Sequence, residues 1–203
     1  MTGRSQYVAD MTLPGMLYGV TVRNSTGRGR IRNIVFEPGI PWEEFTVVTA
    51  RDIPGTNAVA LLMNDQPVLA DDVSAHIEEA VVLLAHPDRY LAEEARRRVR
   101  IEIDPLPQIT SMEEALAKHE VIWGTDNIFK TFSIAKGDVE QGFATADVIV
   151  EGEYETGAQE QLYIETNGMV ATANPADECI PPRDARATRC QGEIPTSAPS
   201  GLQ

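Results

Sequence analysis

Glu160 and Glu165 are the two side chains best placed to be more than surface charge. They flank Leu162 and Ile164 in the run Gly157-Ala158-Gln159-Glu160-Gln161-Leu162-Tyr163-Ile164-Glu165, a segment expected to be partly buried. A carboxylate withdrawn from water needs a hydrogen-bond partner, a cation or a role in a site. A structural hydrogen bond is the favoured assignment, and a site role is the alternative. The remaining carboxylates read differently. Glu78-Glu79, Glu93-Glu94 and Glu113-Glu114 are adjacent pairs. Neighbours in sequence do not face one another on a helix or strand, so these pairs suit a solvated acidic surface better than acid/base chemistry.

Other reactive residue types are scattered. His76, His86 and His119 lie far apart and lack metal-ligand spacing. His86 reads as a strand-end or helix-start residue. Cys179 and Cys190 form no Cys-x-x-Cys pair and read as two inert thiols. An iron–sulfur cluster needs about four thiolates, so any such cluster belongs on another chain. Arg28-Gly29-Arg30 reads as a solvated turn, because a phosphate cradle needs a helix to follow it. No Ser-His-Asp arrangement, nucleophile elbow or P-loop is legible.

Composition narrows the partners. Lys and Arg total 17 against 31 Asp and Glu, a net charge of −14 over 203 residues. That field repels nucleic acid and anionic membrane. No apolar run approaches the roughly 20 residues of a membrane span. Met1 to Gln6 lacks a secretory core, so a cytoplasmic location is expected.

The elements that must position these residues follow from periodicity. Leu17 to Val22 and Ile31 to Phe36 read as strands that could pair as a hairpin across Asn24 to Gly29. Phe45 to Ala50 reads as a short strand, and Val59 to Met63 as a further apolar run. Ala80 to Ala85 is continuously apolar, as a strand covered on both faces should be. A helix follows from His86-Pro87-Asp88, with Leu91, Ala95 and Val99 as its buried stripe and a Glu93–Arg97 pair on its surface. Val99 to Ile103 then alternates, suggesting a β-α-β crossover. Ser111 with Glu114 forms a capping box, and Asp138 caps a second short helix. Val148 to Tyr154, Leu162 to Ile164 and Met169 to Ala173 read as strands. From Asn174 onward, prolines accumulate and Ile180, Ile194 and Leu202 stand isolated, which predicts a disordered tail.

Several segments, in order, resemble the large subunit of the xanthine dehydrogenase/aldehyde oxidase family of molybdenum hydroxylases. They are Asp10 to Gly19, Val22-Arg23, Gly29-Arg30-Ile31, Val48-Thr49-Ala50-Arg51-Asp52-Ile53-Pro54-Gly55, Asn64-Asp65-Gln66-Pro67 with Leu69-Ala70, Glu79 to Ala85, Pro105-Leu106-Pro107, Lys136-Gly137-Asp138-Val139 and Ala146 to Gly152. The Gly157 to Glu165 run resembles the segment that opens the family's cofactor-binding part. Where the family usually has Gly-Glu-Pro after a histidine, His76-Ile77 is followed by Glu78-Glu79-Ala80, a departure consistent with drift.

The resemblance implies an α+β protein. An a/b hammerhead domain would span residues 1–150, the first strands of an incomplete molybdopterin-binding domain 151–173, and a disordered or frame-shifted tail 174–203. It implies the molybdenum–molybdopterin cofactor in the full-length family, partner subunits or domains carrying FAD and 2Fe-2S clusters, and a small heterocyclic or aldehyde substrate. The family's catalytic glutamate and its Gly-rich loop match nothing here. The expectation is therefore an N-terminal fragment, inactive and cofactor-free by itself, with no catalytic, cofactor or metal residues of its own. The alternative is a non-catalytic hammerhead module that associates with the FAD or iron–sulfur subunits. By position before Asn64-Asp65, Leu62 and Met63 match a loop that reaches the family's substrate funnel; funnel lining and core are both open to them.

Overall fold

Val81 and Val82 are adjacent in sequence and both wholly buried. Successive strand residues point to opposite faces, so the strand that carries them is covered on both sides at this point, as its apolar run predicts; further along, Leu83 on the Val81 face is exposed. The computed structural model describes residues 7–59, 64–160, 162 and 168–171. The chain divides into two units: Met1–Thr110 with Gly168–Gln203, and Ser111–Asn167.

The first unit holds two three-stranded antiparallel sheets. Its strands are β1 (Tyr18–Arg23), β2 (Gly29–Phe36), β3 (Thr46–Thr49), β4 (Val73–Ser74), β5 (Ala80–His86) and β6 (Val99–Pro105). One sheet has the order β1-β5-β3, the other β4-β2-β6. Helix α1 (Arg89–Arg97) packs against β1 and β5 and also touches β6. Its Ala92 and Ala95 are wholly buried, and their small side chains bring the helix backbone close to the sheet. The two sheets share one core: Val22, Val81, Val82 and Leu84 from the first meet Ile31, Ile34 and Ile101 from the second. Each large aliphatic side chain fully buried there contributes about 1.5–3 kcal/mol.

Three expectations change. β1 and β2 form no hairpin; β1 pairs with β5 and β2 with β6. The reason is Asn24, whose main-chain N–H donates to Glu79 O (2.8 Å) and whose carbonyl accepts from Glu78 N (2.7 Å), carrying the chain out of one sheet and into the other. β5, α1 and β6 likewise make no crossover within one sheet, because β5 and β6 sit in different sheets. Leu91 and Ala95 pack on the core as expected, joined by the wholly buried Ala92, while Val99 reaches that core from β6 and not from the helix; Glu93 pairs with Arg96 (3.0 Å) in place of Arg97. The helix starts where expected, and Asp88 caps it: its Oδ1 accepts from the main-chain N–H groups of Tyr90 and Leu91.

Gly29 lies in β2 and is buried, contrary to the solvated turn expected of Arg28-Gly29-Arg30. A Cβ there would run into Ile103 Cγ2 and sit 2.8 Å from the Asp104 carbonyl oxygen. The nearby arginines of the strand are exposed and pair across the sheet, Arg30 with Asp72 and Arg32 with Asp104. Exposed pairs of this kind add little stability.

The second unit contains α2 (Met112–Ala117) and α3 (Val139–Thr145), with no strand among its described residues. Both caps are the expected ones. Ser111 Oγ accepts from Glu114 N (3.1 Å), the Glu114 carboxylate accepts from Ser111 N (3.2 Å), and Asp138 Oδ1 accepts from Gln141 N (3.0 Å). The strand expected at Val148 to Tyr154 does not form. A strand needs a neighbour for its amides and carbonyls, and the described residues offer none there. Leu162 to Ile164 falls mostly outside the described residues, as does the tail from Asn174. Met169 to Ala171 carries no regular structure.

Replacing Gly29 by Ala should cost about 1–3 kcal/mol through overpacking against Ile103 and the Asp104 backbone. In urea titration the midpoint falls and the slope is unchanged. Gly19→Ala, which faces open space, should change stability by no more than about 0.5 kcal/mol.

Candidate functional site

Leu62 and Met63 lie outside the described residues, but the base of their loop does not. Val59 N donates to Gln66 O (2.7 Å), closing the loop as an isolated antiparallel bridge. Below that bridge, Asn57 clamps the two sides together. Its Nδ2 donates to Leu69 O (2.7 Å), and its Oδ1 accepts from Val68 N (3.0 Å) and Leu69 N (3.1 Å). Leu69 and Ala70 are buried, so the loop is anchored in the core of the first unit.

Beside that anchor lies a cleft of about 310 Å³, lined by residues 31–34, 49–51, 70 and 71. On its β3 side the run Thr49-Ala50-Arg51-Asp52 forms a single 3-10 turn. Asp52 Oδ2 accepts from both Thr49 N and Thr49 Oγ1, each at 2.7 Å. Those two donors, the main-chain one first, hold the Asp52 carboxyl below its ordinary value of 3.8.

The least expected group is Glu79. It is buried, although as half of an adjacent acidic pair it reads as solvated surface. Its Oε2 accepts from Ser74 Oγ (3.0 Å) and from Ala75 N. Asn24, also wholly buried, completes the knot: Nδ2 donates to Ser74 Oγ (2.7 Å), Gly27 O (3.0 Å) and His76 O (3.2 Å), while Oδ1 accepts from Thr26 N (2.8 Å). Glu78 adopts a left-handed backbone, φ 66°. The glycine that the family resemblance places there is the residue type such a backbone favours. Glu78 keeps its main-chain bonds, to Asn24 O and from the Arg23 guanidinium (2.8 Å).

The histidines sit apart. His86 is buried, stacked on Phe45 with ring centroids 4.6 Å apart. Its Nδ1 accepts from Asp88 N (2.9 Å), which leaves the ring hydrogen on Nε2, 3.7 Å from the Glu44 carboxylate. His86 thus stands at the end of β5, as expected. His76 and His119 are exposed. Cys179 and Cys190 lie outside the described residues. Among the described residues, no three His, Cys, Asp or Glu side chains gather as metal ligands, and no helix is long and apolar enough to cross a membrane.

Glu160 is exposed, with Gly157, Ala158 and Gln159 beside it, and Glu165 lies outside the described residues. No described residue from 111 to 160 is buried.

Two family models match the chain in sequence order. The aldehyde oxidase and xanthine dehydrogenase a/b hammerhead domain matches residues 2–107, and the molybdopterin cofactor-binding domain matches residues 122–181. The chain belongs to the aldehyde oxidase/xanthine dehydrogenase family. It is 33% identical over 173 residues to a probable xanthine dehydrogenase subunit of Bacillus subtilis, covering 84% of this chain and 23% of that one. It is 29% identical over 171 residues to the nicotinate dehydrogenase large molybdopterin subunit of Eubacterium barkeri, covering 83% and 40%. Among solved structures, the aldehyde oxidoreductase of Desulfovibrio gigas superposes with a TM-score of 0.62 at 25% identity, over 73% of this chain and 18% of that one. The chain therefore spans between about a fifth and two fifths of the length of these relatives. The hammerhead assignment holds, and with it the α+β class.

Two outcomes test this geometry. Glu78→Gly should stabilise the chain by about 0.5–1 kcal/mol, since relief of the left-handed strain exceeds the added freedom of the unfolded chain; thermal and urea melts read it. The depressed Asp52 carboxyl contributes stability above its ordinary value of 3.8 that is lost as pH falls below that value through the folded pKa. An NMR titration should place its midpoint below 3.8, and Thr49→Val should raise the midpoint without fully restoring it, because the Thr49 amide remains.

Proposed function

We propose that this chain supplies the hammerhead domain and the opening of the cofactor-binding part of a molybdenum hydroxylase large subunit. In that reading the complete assembly is an oxidoreductase. It hydroxylates an aldehyde or an electron-poor heterocycle, taking the oxygen from water, and passes electrons to FAD and 2Fe-2S partners. The observation that carries the reading is the ordered match of the two family models, with the first falling on a self-contained fold. Relatives named as subunits support the partner part of the reading.

Within it, the chain's own residues have a positioning role. The Val59–Gln66 bridge and the Asn57 clamp would fix the two flanks of the segment carrying Leu62 and Met63, whose apolar side chains would suit flat or aldehydic substrates. By itself the chain is proposed to hold no molybdenum and to turn nothing over. The exposure of residues 157–160 supports this. A second reading, a non-catalytic module that docks FAD or iron–sulfur subunits, is favoured by the independent core of the first unit.

Elemental analysis of the chain purified from a host that makes the cofactor should give no stoichiometric molybdenum; one metal per chain would overturn the cofactor-free reading. Co-expression with FAD and 2Fe-2S subunits should bring down bound flavin and iron. Their absence would overturn the proposed place in such an assembly.

A further inference from the structure

We draw no further inference here: the strongest candidate, the cleft between β2 and the 3-10 turn that follows β3, carries nothing beyond the site already described, because its two guanidiniums, Arg32 and Arg51, already pair with Asp104 and Asp71, and among the described residues no buried polar side-chain atom is left without a partner to call for a ligand.

Discussion

Asn24 is the point on which the first unit depends. The chain passes between its two sheets twice within a few ångströms of this residue, from β1 to β2 and from β4 to β5. Both passages must leave a sheet ladder without leaving buried amides unpaired, since each orphaned group costs about 1–3 kcal/mol. Asn24 satisfies them with every polar atom it owns, and Ser74 and Glu79 close the far side. No buried side-chain nitrogen or oxygen is left without a partner among the described residues. A buried polar network of this kind is worth keeping only when complete, because the same low dielectric that strengthens its bonds punishes any gap.

That requirement explains why Glu79 escapes a reading from spacing. Adjacent glutamates suit a solvated surface, and nothing in Glu78-Glu79 alone separates the exposed member from the buried one. The separation comes from the left-handed backbone at Glu78, which turns the two side chains into different environments. The family's glycine at that position was the available signal. Its physical content is a demand on φ, and a sequence carrying Glu there hides the demand.

Elements governed by local chemistry were legible. The caps at Ser111 and Asp138 depend on a side chain and an amide three residues away, and both stand where the sequence puts them; the helix expected to begin at His86-Pro87-Asp88 does so, with Asp88 as its cap. The strand at residues 80–86 was readable as a strand from its apolar run, although only its start is covered on both faces: Val81 and Val82 are buried while Leu83 is exposed. Pairing was not readable. The expected hairpin and the expected crossover both assume that neighbours in sequence are neighbours in a sheet. Asn24 sends β2 away from β1, and the aromatic chain Phe36, Trp42, Phe45, His86 bridges the sheets from the other end. Of the candidate site, the clamp at Asn57 and the turn at Asp52 make physical sense of the matched segments around them, while Leu62 and Met63 fall outside the described residues.

The contrast between the two units has a single cause. The first gathers apolar side chains from two sheets and a helix onto one core, so each ordered residue is offset by burial. The second has comparable apolar residues, yet no described residue from 111 to 160 is buried, because its helices are short and its alternating segment at 148–154 has no strand to join. Its order is local and polar, held by Asn127 and two capping side chains. A polypeptide that orders its turns by hydrogen bonds while leaving Phe132, Ile134 and Tyr154 in water has its hydrophobic stabilisation still to gain.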